Sequence, residues 1–442
     1  MSFDFDAAVS APHRMQPGLR RLTPGANQLT PTVAPHRGLA RHLREKLAVL
    51  GAFRQQALLC VPGFDARPAL AALAAHAAAE HPDALQLDGE RWRAPALGWA
   101  LDGDQPPQDL GTDWPEIGPL LAGVPAEWRR TALLCLAFAE DFAVLDSATA
   151  TLPWLAVALP SMWAPEQKIG RHFADVHAPV ADNRLIVGAT EPLVKLVTGD
   201  AERWERFVWT LTAHPRLHAH PDRVDPARWG ALAGPDGTPA SDDAIAHPIA
   251  AHTWWRTERQ TFIPVSGGPH GAAQAVFTIL VHSTPLAQAL QAPGQAARVH
   301  DALASMSPAV LAYRGLHAVQ APLLRWLAWR AAASARGPPP RQPGPRWPCW
   351  PARSCRHAGV GGPGLWCWTP VLASAMPFWP PGAPGCRTTG AAASSAIWRL
   401  KNTRHAAPTW CTPMPMPMPR PMPMPMPMPA RQTPAWRRWP AR

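Results

Sequence analysis

Apolar positions along the first three quarters of the chain switch between a helical and a strand-like period, and that switching predicts the elements. His42-Leu43, Leu47 and Leu50 predict a helix from His36 to about Phe53, and the Ala/Leu run from Ala69 to Ala79 a second. Short apolar runs between Leu85 and Trp92 flank Asp88-Gly89, a hairpin turn signal. Leu133, Leu136, Phe138, Phe142 and Leu145 stand near helical spacing. They predict one long helix, Ala126–Leu145, with Glu140 and Asp141 inside its apolar surround. Three strand-like runs follow, Arg206–Ala213, Trp255–Val265 and Ala273–Ser283, with Ser266-Gly-Gly-Pro-His-Gly271 as the hairpin loop between the last two. Two helices, Ala297–Ala312 and Leu316–Ala333, close the body, split by Tyr313-Arg314-Gly315. Helices flanking an antiparallel meander indicate an α+β fold rather than a doubly wound sheet.

Two segments lie outside this pattern. Residues 1–36 are rich in Pro, His and Arg without periodicity and read as an extended lead-in. From Gly337 the composition changes: the last 106 residues hold 25 of 56 prolines, 9 of 22 tryptophans and 5 of 7 cysteines, with no acid after Asp301. Cys411–Ala430 is close to a Met-Pro repeat, which forms neither helix nor sheet ladder and reads as disordered or polyproline-like. Residues 337–442 are either a basic, proline-rich tail for acidic partners or the off-frame translation of a GC-rich gene. The division is thus 1–36, 37–336 and 337–442.

Charge changes meaning once the tail is set aside. The chain is formally +11, but the tail carries 13 basic residues, which leaves 29 basic against 31 acidic in residues 1–336. A nearly neutral body does not call for nucleic acid. Only Cys60 and Cys135 lie in it, too far apart in sequence for a zinc ribbon or disulfide scaffold. The N-terminus lacks a signal-peptide pattern and no run of 18 apolar residues occurs. The expectation is a cytoplasmic protein with no membrane partner.

Four constellations offer chemistry. In Asp175-Val-His-Ala-Pro-Val180, Pro179 is expected to hold Ala178 extended and His177 on a stiff backbone. That suits an axial metal ligand, or else a structural histidine bonded to backbone. In Arg256-Thr-Glu-Arg-Gln-Thr-Phe262, strand alternation puts Arg256, Glu258, Gln260 and Phe262 on one face and Thr257, Arg259, Thr261 and Ile263 on the other. A buried guanidinium on each face needs a partner: a propionate or phosphate, or an internal carboxylate such as Glu258. An edge strand with solvated charges is the alternative. His214, His218 and His220 are broken up by Pro215 and Pro221 and read as a surface loop, and the glycines near Gly267 do not form a dinucleotide fingerprint. Glu140 and Asp141 either cap or pair with Arg129 or Arg130, or offer an anionic spot to an amine.

The ordered series of segments resembles the haem-dependent oxidative N-demethylase family, α-subunit-like and related to dimethylamine monooxygenase. The matching segments are Arg14-Met-Gln-Pro-Gly-Leu19, His42-Leu-Arg-Glu-Lys46, Glu140-Asp-Phe142, Trp163-Ala-Pro-Glu-Gln-Lys-Ile-Gly170, His177-Ala-Pro-Val180, Trp209-Thr-Leu211, Arg256-Thr-Glu-Arg-Gln-Thr261 and Tyr313-Arg-Gly315. They span roughly residues 12–332. The resemblance implies a PAS-like α+β fold around haem b and O2-dependent removal of a methyl group from a small secondary amine, with release of formaldehyde. Electrons would come from NADPH through a separate flavin and iron–sulfur reductase subunit. It makes His177 the axial iron ligand, Arg256, Arg259 and Lys168 the partners of the haem propionates, and Glu258 and Asp141 the groups that hold the ammonium or relay protons. A haem-binding sensor or carrier, or a degenerate relative without cofactor, is the alternative. Asp182-Asn183 stands after Val180 where the family usually has Pro then Gly, and Arg314 replaces the more usual Lys.

Overall fold

The computed structural model describes residues 3–335 except 34–38, 112, 201, 226–228, 230–240 and 266–272. The 337–442 segment, the Ser266–Gly271 loop and the predicted helix start at His36 lie outside the described residues. Eleven strands are present among them: β1 (Arg20–Arg21), β2 (Leu58–Cys60), β3 (Gln86–Asp88), β4 (Arg91–Ala94), β5 (Trp99–Asp102) and β6 (Gln108–Asp109), then β7 (Asp141–Asp146), β8 (Thr151–Ala156), β9 (Trp204–Thr212), β10 (Trp254–Val265) and β11 (Gln274–Pro285). Seven form one sheet in the order β1-β9-β10-β11-β7-β8-β2, and β3-β4-β5-β6 form a second. Every pairing is antiparallel. Helices with antiparallel sheets make this an α+β fold.

The predicted hairpin is β3–β4, with Gly89 at φ +57° where a side chain would be strained. The first two helices run Ala40–Ala52 and Arg67–Glu80, the second opened by Pro68 in its first turn. Ala297–Ala312 is broken: helix Gln295–Ala304 stops, and Ser307 caps a new one, Pro308–Tyr313, by accepting from the Val310 N–H. Pro308 has no N–H and suits a helix start rather than an interior.

The long Ala126–Leu145 helix is also corrected. It ends at Ala137, Phe138 is extended, and residues 141–146 become β7 beside β11. A backbone competitor explains the break. The N-terminal strap donates Thr32 N–H to the Ala137 carbonyl and accepts the Ala139 N–H at Thr30, so these groups pair outside a helix. Glu140 and Asp141 therefore open a strand. The edge-strand reading of Arg256–Phe262 is overturned as well, because β10 lies between β9 and β11.

The core follows from these placements. Leu43, Leu50, Leu73 and Leu133 from the helices, with Phe138 just past a helix end, pack with Phe142, Val144, Ile263 and Val276 from the sheet. Helices Asp242–Ala251, Gln295–Ala304 and Gln320–Ala335 cluster with Trp209, Leu211 and Trp255 at the β9 side.

Candidate functional site

Sheet register assembles one wall of a cavity of about 390 Å³. Arg206 stands opposite Gln260, Val208 opposite Glu258 and Thr210 opposite Arg256. Phe262 faces Phe277, Phe277 faces Ala143, and Ala143 faces Leu155. All these residues line the cavity. The remaining walls come from Met162, Trp163 and Lys168, from Phe173, Val176 and His177, from Val194 and Val197, and from Arg314, with Met15, Pro17 and Leu19 of the N-terminal arm completing them. Met162 holds φ +63°, a left-handed strain of the kind that clusters at working sites. The volume is that of a ligand pocket, within the usual range of about 300–1,000 Å³.

His177 closes the short helix Phe173–His177. Ala178 is right-handed helical (φ −55°, ψ −38°), so the extended backbone expected before Pro179 does not occur. The stiffness has another source. His177 Nδ1 bonds the Phe173 carbonyl at 2.8 Å, and the Asn183 side chain donates to the carbonyls of His177 and Ala178. An Nδ1–H held by a carbonyl leaves Nε2 with its lone pair. Burial, with Arg206 and Lys168 adding to it, lowers the imidazole pKa to about 4, so the ring is neutral at ordinary pH. Asn183, one of the departures from the family pattern, is thus part of what orients the ring.

The cavity is rich in cations and poor in anions. Arg206 has a buried Nε with no hydrogen-bond partner, and burial lowers its pKa against the opposing pull of Glu258. Arg314 follows the helix Pro308–Tyr313 and precedes Gly315 at φ +65°. It leaves a buried Nη1 unpartnered, lies 5.5 Å from the Trp209 ring centre and has its pKa drawn down to about 10 by burial. Lys168 Nζ sits 4.5 Å above the Trp163 ring, and burial brings its pKa to about 8. Among the described residues, Glu258 is the single carboxylate on the wall, its Oε2 accepting from Gln260 at 2.6 Å.

His177, Lys168, Glu258 and Arg256 are therefore brought together, while Arg259 and Asp141 are not. Arg256 lines the cavity, but Ser161 Oγ and the carbonyls of Arg216, Leu217 and Pro160 occupy its donors at 2.7–3.1 Å. It ties two loops to β10. Arg259 lies on the opposite face and donates to Glu205 at 2.9 Å. Asp141 is fully buried, 3.2 Å from Lys46 Nζ, and accepts from the Leu159 N–H. Arg129 and Arg130 bond elsewhere, to Val124, Asp104 and Glu90. The three histidines of residues 214–220 correct another expectation: His214 and His220 are buried. They bond separately to the Asp225 carbonyl and Glu166, while His218 bonds the Ala158 carbonyl.

Arg206 and Arg314 are the site residues that the sequence reading passed over. Parity would have found Arg206, which begins the predicted strand Arg206–Ala213 and shares a face with Glu258. Arg314 stood in a quoted motif but carried no role.

The site thus combines a neutral imidazole, an apolar enclosure and two guanidiniums that each have one buried nitrogen without a hydrogen bond among the described residues. Residues 121–324 match the family described as haem-dependent oxidative N-demethylase, alpha subunit-like. The match takes in every cavity residue named above except the three of the N-terminal arm. No curated protein matches the chain. Among the described residues, no helix is long and apolar enough to cross a membrane.

Proposed function

We propose that the chain is a haem b-binding subunit, PAS-like in its sheet, that removes a methyl group oxidatively from a small secondary amine such as dimethylamine. The residues present fit the group. Two buried guanidinium atoms lack partners, as carboxylate-bearing propionates require, and the surrounding wall is apolar. His177 would hold the iron through Nε2, with Phe173 fixing the ring. Of the expected propionate partners, Lys168 lines the cavity while Arg256 and Arg259 have their donors engaged, so Arg206 and Arg314 take the place of those two. When bound, haem supplies the O2 chemistry and the oxidation at the methyl carbon.

The protein's own groups do the rest. Glu258 would accept hydrogen bonds from the ammonium at Oε1 and take up its proton, with Oε2 held by Gln260. Phe262, Phe277 and Leu155 exclude water from the same side. Electrons would come from NADPH through a separate flavin and iron–sulfur subunit, consistent with an alpha-subunit-like family. Formaldehyde and the demethylated amine are the products.

The observation that carries this reading is the imidazole that, alone among the described residues, lies on the cavity wall, with one nitrogen fixed and the other left for a ligand. Protein purified with added haem should show a Soret band, and with dimethylamine, O2, NADPH and reductase it should form formaldehyde. Absence of the band sinks the proposal. A band without turnover would instead make the chain a haem carrier or sensor.

A further inference from the structure

The chain has four lysines, and the described three sit in unlike settings. Lys46 is sealed from solvent against Asp141 and the carbonyls of Phe138 and Glu140. Lys195 is exposed on the helix Thr190–Thr198. Lys168 borders the cavity, stacked on Trp163, without an ion-pair partner among the described residues. An amine that is accessible from an apolar enclosure and not tied to a carboxylate is placed as a nucleophile.

We propose that Lys168 captures small aldehydes in the cavity as a reversible imine. The nitrogen lone pair forms a bond to the carbonyl carbon, and the carbonyl oxygen takes the proton that nitrogen gives up. The resulting hydroxyl then leaves as water and a C=N bond remains. Amine and aldehyde thus yield imine and water, with no oxidant or reductant. Glu258 is the carboxyl of the same wall and the charge that acts on Lys168. It accepts the proton that nitrogen releases and delivers it to the departing hydroxyl. Burial, which brings the amine to a pKa of about 8, keeps a larger share of it uncharged than at an exposed lysine.

An oxidative demethylation would release an aldehyde into this cavity, so the inference rests on that reading for its physiological substrate. Its chemistry is tested apart from it. Full-length protein is treated with formaldehyde and cyanoborohydride at neutral pH, and methylation of each lysine is followed by peptide mass spectrometry. Lys168 should be modified at least ~10-fold faster than Lys195. Glu258→Gln should slow Lys168 by about 10-fold or more while leaving Lys195 unchanged. A Lys168 that reacts no faster than Lys195, or at a rate indifferent to Glu258→Gln, overturns the proposal. No amine substrate or reductase is added, so failure here leaves the haem reading standing, and a missing Soret band leaves the imine standing.

Discussion

On one face of the β9–β10 ribbon, Arg259 donates to Glu205 at 2.9 Å, and Gln28 donates to Thr261 and to the Phe262 carbonyl. On the other, among the described residues, Arg206 keeps an unpartnered Nε and Glu258 is hydrogen-bonded to Gln260 alone. The strands and residue types are the same, yet one face closes its charge into a pair, while the other, Arg256 apart, leaves hydrogen-bonding groups open toward a cavity. A buried charge without a partner is costly, and folding alone gives no reason to keep one. On the cavity face it stands beside a neutral imidazole, and the proposed cofactor role rests on that combination.

The largest expected effect falls on the closed face. Arg259→Ala takes away the guanidinium on Glu205 Oε2, leaving Arg20 on Oε1, and should lower unfolding free energy by about 3 kcal/mol, read from urea midpoints. Haem uptake at a native temperature should stay unchanged. A haem defect as large as the stability defect would break the division between the faces.

A second closed cluster sharpens it through pH. Glu140 is fully buried, bonded to the Thr30 N–H at one oxygen, and burial raises its pKa from 4.5 to about 7. Between those values the folded chain keeps a proton that the unfolded chain releases, so stability falls as pH rises through that window. Glu140→Gln removes this loss. Its stability relative to the unsubstituted chain should be greater at about pH 8 than at about pH 5, by about 1–3 kcal/mol. Denaturation at both pH values checks the sign.

The smallest change in stability belongs to the open face. Arg206→Leu should leave the cofactor-free protein as stable as before or about 1 kcal/mol more so, while weakening haem retention about 10-fold. A strongly destabilised variant would mean that Arg206 is a structural charge after all.

The legibility of the site follows from how local its causes are. Alternation along β10 separated Glu258 from Arg259 correctly, because side-chain direction in a strand depends on nothing distant. Which face held the cavity was not local. It depends on Glu205, which pairs with Arg259 across strands, and on loop carbonyls that surround Arg256. The helical spacing that predicts Ala126–Leu145 overruns the helix end at Ala137 because the strap at residues 30–32, far away in sequence, diverts its backbone. His177 was found for a wrong local reason: a helix end and Asn183 hold it, where an extended X-Pro segment was expected.

The most direct measurement is the Soret spectrum of His177→Gly with haem, recorded with and without added imidazole. Loss or displacement of the band, restored toward the unsubstituted protein's position by imidazole, is the predicted result. A variant that retains the haem and its spectrum unaltered without imidazole would contradict the placement of the iron on this side chain.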